Sequence, residues 1–225
     1  MAKRPEFALN EFYHLYNRGV EGRDIYIDIN DYRRAVVLLF LANKTARVDI
    51  DGYFQKGLTF LDLWDVQQQD PRVEIGAWCL MPNHFHIFVR EIKDGGISEF
   101  MKIFSTAYSM YFNAKYKRQG RLTQGSYKAE HINNDRYFQY LFSYIHLNPV
   151  KLIRGESAWK EEGIKNQGRV KKFLDTYTYS SFFDYKKGNL SRVESKILTN
   201  KNFPWKFGTI GSMEQDTLSW LSQKG

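Results

Sequence analysis

Residues 73–92, VEIGAWCLMPNHFHIFVREI, constrain the fold more than any other stretch of the chain. Two apolar runs meet at the turn signal Met81-Pro82-Asn83, and the second opens with His84-Phe85-His86, so the segment reads as a β-hairpin carrying two imidazoles. Successive strand side chains alternate between faces. His84, His86, Phe88 and Arg90 therefore share one face, and Phe85, Ile87 and Val89 the other. The second set is expected to be core and the first to carry ligands. Histidines at i and i+2 of a strand stand roughly 7 Å apart, close enough for both rings to tilt onto one metal ion. A His-x-His pair on a half-exposed sheet is also common without any metal, so the pair gains meaning only from what the rest of the chain places beside it.

The remaining elements follow from periodicity. Residues 11–19, EFYHLYNRG, read as an aromatic-rich strand with His14 and Tyr16 on one face. Asn30-Asp31 offers a cap for a helix over residues 32–43, and Ser98 one for an amphipathic helix over 99–117. Residues 126–132 fit a short strand. Asn134 or Asp135 then caps a helix from Arg136 to about Asn148, stopped by Pro149. This order predicts an α+β fold: a ferredoxin-like sandwich with a four-stranded antiparallel sheet and helices on one face, plus a C-terminal helical or irregular extension. Residues 1–155 are expected to form the main domain, with an insertion at about 44–72, and residues 156–225 a basic extension packed on or prolonging it.

On the last of these helices Tyr137, Tyr140, Tyr144 and Asn148 fall at spacings of three, four and four and form one stripe. Tyrosines at helical spacing usually pack, but Tyr144 has Asn148 one turn on. A buried amide needs a partner, so Asn148 either caps the helix end or coordinates something.

Composition bears on the partner. The net charge is +8, and from Lys151 onward fourteen Lys/Arg stand against eight Asp/Glu, which places six of those charges in the last third. A basic balance of this kind favours a polyanionic partner, and the aromatics interleaved there (Phe173, Tyr177, Tyr179, Phe182, Phe183, Tyr185) could stack bases or form the core of a C-terminal helix. No apolar run is long enough to span a membrane, and the single cysteine, Cys79, lies in a strand pattern. The start lacks an apolar signal core, so a cytoplasmic, nucleoid-associated protein is expected.

Met81-Pro82-Asn83-His84-Phe85-His86, followed some sixty residues later by Tyr144-Ile145-His146-Leu147-Asn148-Pro149-Val150, resembles the HUH endonuclease superfamily. Within it the match is to single-tyrosine transposases of the insertion-sequence type, and especially to REP-associated tyrosine transposases. Tyr13-His14-Leu15-Tyr16-Asn17-Arg18-Gly19 and Gly125-Ser126-Tyr127-Lys128 match in kind, and the resemblance covers roughly residues 11–155. It implies that His84, His86 and Asn148 hold a divalent metal, Mg2+ or Mn2+. Tyr144 would attack a phosphodiester of single-stranded DNA near a hairpin, leaving a 5′-phosphotyrosine and a free 3′-hydroxyl. Arg18, Arg90, Lys115, Lys117, Arg118, Arg121, Lys128 and Lys151 are the expected nucleic-acid contacts. Whether such a chain works as a monomer or a homodimer stays open, and so does the base for Tyr144, for which His14, His131 and His146 are candidates.

The chain also departs from the family. Ser126 stands where an Arg is usual, and residues 44–72 form a longer connection than the minimal fold needs. Two rival readings remain: a hairpin-binding protein without catalysis, and an unrelated His-x-His hydrolase drawing carboxylates from 44–72. One distance separates them, that between the Tyr144 and Asn148 side chains and the two imidazoles.

Overall fold

The computed structural model describes residues 5–66, 68–186, 192–199, 203, 211–212 and 215–216. Its centre is a four-stranded antiparallel sheet of β1 (Phe12–Arg18), β2 (Val73–Met81), β3 (His84–Glu91) and β4 (Lys128–Ile132), in the spatial order β2-β3-β1-β4. Between the strands run α1 (Ile29–Lys44), the short α2 (Ile50–Gln55) and α3 (Gly96–Lys115). α4 (Asp135–Leu147) follows β4, and α5 (Trp159–Glu162) and α6 (Gln167–Leu174) come next. This is the expected α+β sandwich, with β1 and β3 at the middle of the sheet.

The helices do not all lie on one face. α1 and α3 bury Leu15, Ile75, Trp78, Leu80, Phe85, Ile87 and Val89 in one core. α4 packs on the opposite face, where Tyr140, Leu141, Phe142 and Ile145 meet Ala77, Cys79, Met81 and Phe88. The face expected to carry only ligands is therefore also a packed interface, and Phe88, which shares it with the histidines, is fully buried. The reason is visible in β2, whose residues are apolar on both sides and so require a cover on each.

Strict alternation along β2 would align Ile75 with Ala77, Cys79 and Met81. Instead the register shifts between Ile75 and Ala77, so that Ile75 joins Trp78 and Leu80 in the first core. Gly76 is the inserted residue, and a bulge of this kind re-aims every side chain beyond it. Phe203 fills the space beside Gly76: a Cβ there would stand 1.9 Å from the Phe203 ring. Gly76→Ala is accordingly expected to lower unfolding stability by about 1–3 kcal/mol, as overpacking does, read from the denaturant midpoint. A midpoint equal to the parent's would show that Phe203 yields at no cost.

Two capping expectations need correction. Asp28, not Asn30 or Asp31, caps α1: its side chain accepts from the Asn30 and Asp31 N–H groups, and Asp31 answers as the other half of a capping box. α3 starts at Gly96 behind Gly95 in a left-handed conformation, with the Glu91 carboxylate accepting from the Ile97 N–H at 2.8 Å, so Ser98 lies inside the helix. For α4 the cap is Asn134, whose side chain accepts from the Tyr137 N–H.

The connection over 44–72 is partly folded, with α2 and a 3-10 turn at Asp62–Trp64 burying Ile50, Leu63 and Trp64. The extension packs on the same body. Trp159, Val170 and Leu174 close a third core with Leu147 and Val150, and the segment near 180 runs along the outer edge of β2, where the Ser181 N–H donates to the Trp78 carbonyl and the Leu80 N–H to that of Tyr179, each at 2.9 Å. An otherwise exposed strand edge is thereby covered. Tyr177, Phe182 and Tyr185 belong to these packed clusters.

Candidate active site

The strand register assembles the site before any side chain is considered. β1 pairs with β3 so that Arg18 faces His84, Tyr16 faces His86 and His14 faces Phe88. On its other side β1 pairs with β4, bringing Glu130 opposite His14 and Lys128 opposite Tyr16. One face of the two central strands thus gathers His14, Tyr16, Arg18, His84 and His86, and α4 lies across it.

His84 is oriented from the turn. The Gly19 N–H donates to the Asn83 carbonyl at 2.8 Å and the Ile25 N–H to the Pro82 carbonyl at 2.7 Å, so the loop after β1 holds the turn in place. The Asn83 amide nitrogen donates to the Gly22 carbonyl, which leaves its Oδ1 as the acceptor 2.6 Å from His84 Nδ1. His84 Nδ1 must therefore carry the proton. Burial, reinforced by Lys151, lowers the His84 pKa to about 4, so the ring is neutral at pH 7 and Nε2 offers a bare lone pair. That nitrogen faces Asn148 Oδ1 at 3.3 Å, two acceptors pointing at each other.

His86 is oriented from the other side. Its Nδ1 lies 2.8 Å from His14 Nε2, and His14 Nδ1 is 3.8 Å from Glu130 Oε2. The Glu130 carboxylate is held by the hydroxyls of Tyr16 and Tyr137, each donating at 2.8 Å. The His14 contact first, and these hydroxyls, keep its pKa at about 2 against the opposing effect of burial. With a carboxylate on its Nδ1 side, His14 is best protonated there, so its Nε2 accepts from His86 Nδ1–H. His86 Nε2 is then a lone pair, buried and without a partner, and burial keeps the ring neutral.

Tyr144 reaches this centre from α4. Its ring centroid is 5.3 Å from that of His86, while Tyr137, Tyr140 and Tyr144 stack along the helix at 5.9 and 5.8 Å. Burial raises the phenol's pKa, with the Asn148 amide acting in the opposite direction. Asn148 opens a 3-10 turn directly after α4 and is fully buried. Its Nδ2 has no hydrogen-bond partner, so it does not serve as a helix cap through that atom. The two imidazoles, the phenol and the amide are thus together, as the spacing anticipates.

The basic residues divide. Arg18, Lys128 and Lys151 line the cleft of about 730 Å3 that contains His84, His86 and Tyr144. Arg90 is engaged at the far end of β3 by Glu74 and Asn10. Lys115 pairs with Asp28 and Asp31, Arg118 lies over the Phe112 ring, and Lys117 and Arg121 are exposed; none of these lines the cleft. Among the other histidines, His146 is buried against the Ser181 hydroxyl and His131 meets Glu11, so neither faces Tyr144.

Sequence reasoning missed two participants, Glu130 and Lys160, and gave a third, His14, a different role. Glu130 stands in a strand that alternates only loosely, and its role emerges from the β1–β4 register. His14 was visible only as one of three possible bases. Lys160, from α5, places its Nζ 3.8 Å from the Tyr144 ring centroid, and its irregular surroundings carry no periodic signal. Among the described residues no group of three or more His, Cys, Asp or Glu is placed to hold a metal, so any metal site here depends on the Asn148 oxygen.

The site therefore sits on a four-stranded antiparallel sheet, with a His-x-His strand under a tyrosine-bearing helix. Residues 57–148, which contain β2, β3, α3, β4 and α4, match the family model described as "Transposase IS200 like". The match takes in Met81–His86, the Tyr144–Asn148 part of the second motif and the second half of the 44–72 connection. No curated protein matches the chain. A solved structure, "Structure of the REP associates tyrosine transposase bound to a REP hairpin", is similar at 14% identity over 93% of this chain and 96% of that one, with a TM-score of 0.47.

Proposed function

We propose that the chain is a divalent-metal-dependent endonuclease and strand transferase for single-stranded DNA, with Tyr144 as nucleophile and a hairpin beside the cleavage point. The observation that carries this reading is the meeting of Tyr144 and Asn148 with His84 and His86, within a segment that matches the transposase family model. The hairpin follows from the resemblance of the motifs, not from the geometry.

The residues fit a metal. His84 Nε2, His86 Nε2 and Asn148 Oδ1 are three lone-pair donors, two of them in an otherwise unfavourable acceptor–acceptor approach of 3.3 Å and the third without a partner. Neutral imidazoles and an amide oxygen are the protonation states that metal binding requires. When bound, a divalent ion would neutralise phosphoryl oxygens and so favour attack by an anionic nucleophile.

The chain's own groups do the rest. Tyr144 Oη forms a bond to phosphorus as the P–O3′ bond breaks. The phenol proton passes to water, and the departing 3′ oxygen takes one up, leaving a 3′-hydroxyl. Because the phosphotyrosine retains a phosphoester bond, another 3′-hydroxyl can displace the tyrosine and reseal a strand. Half-burial of Tyr144 limits water's access to that ester. The test is to incubate the protein with Mn2+ or Mg2+ and labelled single strands flanked by hairpins, then run a denaturing gel. A metal-dependent, protease-sensitive adduct is expected, and its absence across hairpin-bearing strands would remove the proposal.

Glu130 and His14 enter as orienting groups for His86. Partners that fix the tautomer of a ligating histidine contribute roughly 10–100-fold in metal affinity. His14→Phe, which keeps a ring in place, is therefore expected to weaken Mn2+ binding at least about tenfold, read by electron paramagnetic resonance of free Mn2+. Unchanged affinity would show that His86 is oriented without His14.

A further inference from the structure

Two lysines lie over the nucleophile from outside the family-matched segment. Lys160 Nζ stands 3.8 Å and Lys151 Nζ 5.9 Å from the Tyr144 ring centroid. Neither ammonium meets a carboxylate among the described residues, and both are only partly exposed. Arg18, opposite His84, lines the cleft that Lys151 and Tyr144 also line. The Glu161 carboxylate attracts both without forming an ion pair, so these half-buried like charges repel one another and lose hydration that no paired carboxylate replaces. Burial first, and then Lys151, brings the Lys160 pKa down to about 8. The interaction with the Tyr144 face offsets part of this, by an amount typical of cation–π contacts, but a single ring cannot neutralise two ammonium groups. Asp24 lines the cleft and Glu161 lies near both lysines, but neither pairs with an ammonium among the described residues, and the cleft beside the Tyr144 ring is open to an anion.

We propose that Lys160, with Lys151 beside it, is a phosphate-binding residue of the tyrosine site, receiving the non-bridging oxygens of the DNA phosphate that becomes joined to Tyr144. This rests on the nuclease reading and deepens it: α5, which belongs to the extension, completes the site from above while the sheet supplies the imidazoles from below. Trp159 is fully buried in the core formed with Leu147 and Val150, so the residue next to Lys160 anchors α5 to the end of the tyrosine helix. The ammonium is thereby carried on a fixed element.

The experiment uses full-length Tyr144→Phe protein, which cannot cleave, and a single strand that the parent protein has been shown to cut. Affinity is measured by fluorescence anisotropy over a range of salt concentrations, with and without Lys160→Met or Lys160→Arg. Each phosphate neutralised on a single strand contributes about 0.7 to the slope of log K against log salt, so Lys160→Met is expected to lower the slope by about that amount and Lys160→Arg to restore it. In the Tyr144 parent, Lys160→Met is expected to slow adduct formation by about 10²-fold, the size of effect seen when one electrostatic donor to a transition state is removed. An unchanged slope, with binding and folding intact, would overturn the assignment and leave Lys160 as packing for the Tyr144 ring while the nuclease reading stands. If the parent protein cut no strand, the nuclease reading itself would fall and this inference with it.

Discussion

Tyr144→Phe is expected to abolish the covalent DNA adduct, with a loss of at least about 10³-fold, because removing a nucleophile leaves no alternative group to form the ester. The substitution removes only the hydroxyl. The ring keeps its place against Tyr140, 5.8 Å away, and under the Lys160 ammonium. Stability should therefore stay within about 1 kcal/mol of the parent, and DNA affinity within about threefold. Mn2+ affinity should not fall, since the phenol is not among the three donors assigned to the metal. That pattern of lost chemistry with intact fold, DNA binding and metal binding separates a nucleophile from a ligand. His14→Phe is expected to show the reverse for metal binding. An adduct that persisted in Tyr144→Phe would move the nucleophile elsewhere; a variant that failed to bind DNA would give the phenol a recognition role instead.

How far the sequence announces this site depends on the range of each interaction. His84-Phe85-His86 and the stripe from Tyr137 to Asn148 follow from local periodicity, and the structure brings the two together because the β-hairpin and α4 both behave as their patterns dictate. Strand alternation also places His14 and Tyr16 on one face. It does not reveal that His14 faces Glu130, because that depends on which residue of a loosely alternating five-residue strand becomes the partner of β1. Lys160 is less legible still. Its position over Tyr144 is set by Trp159 entering a core made with residues on α4 and the turn after it.

The expectation of one helical face failed for a specific reason. Phe88 shares its side of β3 with His84 and His86, and reading that side as ligand-bearing left an apolar side chain without a cover. The bulge at Gly76 then brings Ala77, Cys79 and Met81 to the same side. A single inserted residue thus decides which face of the sheet each side chain beyond it takes, and no alternation pattern shows it in advance. The result matters for function: α4 is seated on an apolar platform, and that platform fixes how close Tyr144 comes to His86.

Lys115 illustrates the opposite error, a basic residue that the sequence offers to nucleic acid and the fold uses internally. Asp31, fully buried at the start of α1, accepts at Oδ1 from Lys115 Nζ at 2.7 Å and the Tyr111 hydroxyl at 2.9 Å. At Oδ2 it accepts from the Tyr116 hydroxyl at 2.7 Å and the Ile27 N–H at 2.8 Å. One carboxylate therefore ties the end of α3 to the beginning of α1. Asp31→Ala leaves the Tyr111 and Tyr116 hydroxyls and the Ile27 N–H without this acceptor and Lys115 with Asp28 alone, a loss of about 1–3 kcal/mol. The loss should appear in the denaturant midpoint at pH 7. Burial alone would raise the Asp31 pKa, but the donors together, led by Lys115, hold it below the usual carboxylate range. A folded-state pKa below the unfolded one stabilises the fold at pH values above the unfolded pKa, and that contribution disappears as the pH falls toward the folded value. The gap between parent and Asp31→Ala should accordingly be widest near neutrality and narrow below about pH 4, where the unfolded chain takes up the proton. A gap that stayed constant from neutral to acid pH would mean that Asp31 contributes as a neutral packing group. Because α1 and α3 lie on the face of the sheet away from the cleft, folded Asp31→Ala protein should form the DNA adduct at the parent rate, and a rate that fell with the stability would show that the two faces of the sheet are coupled.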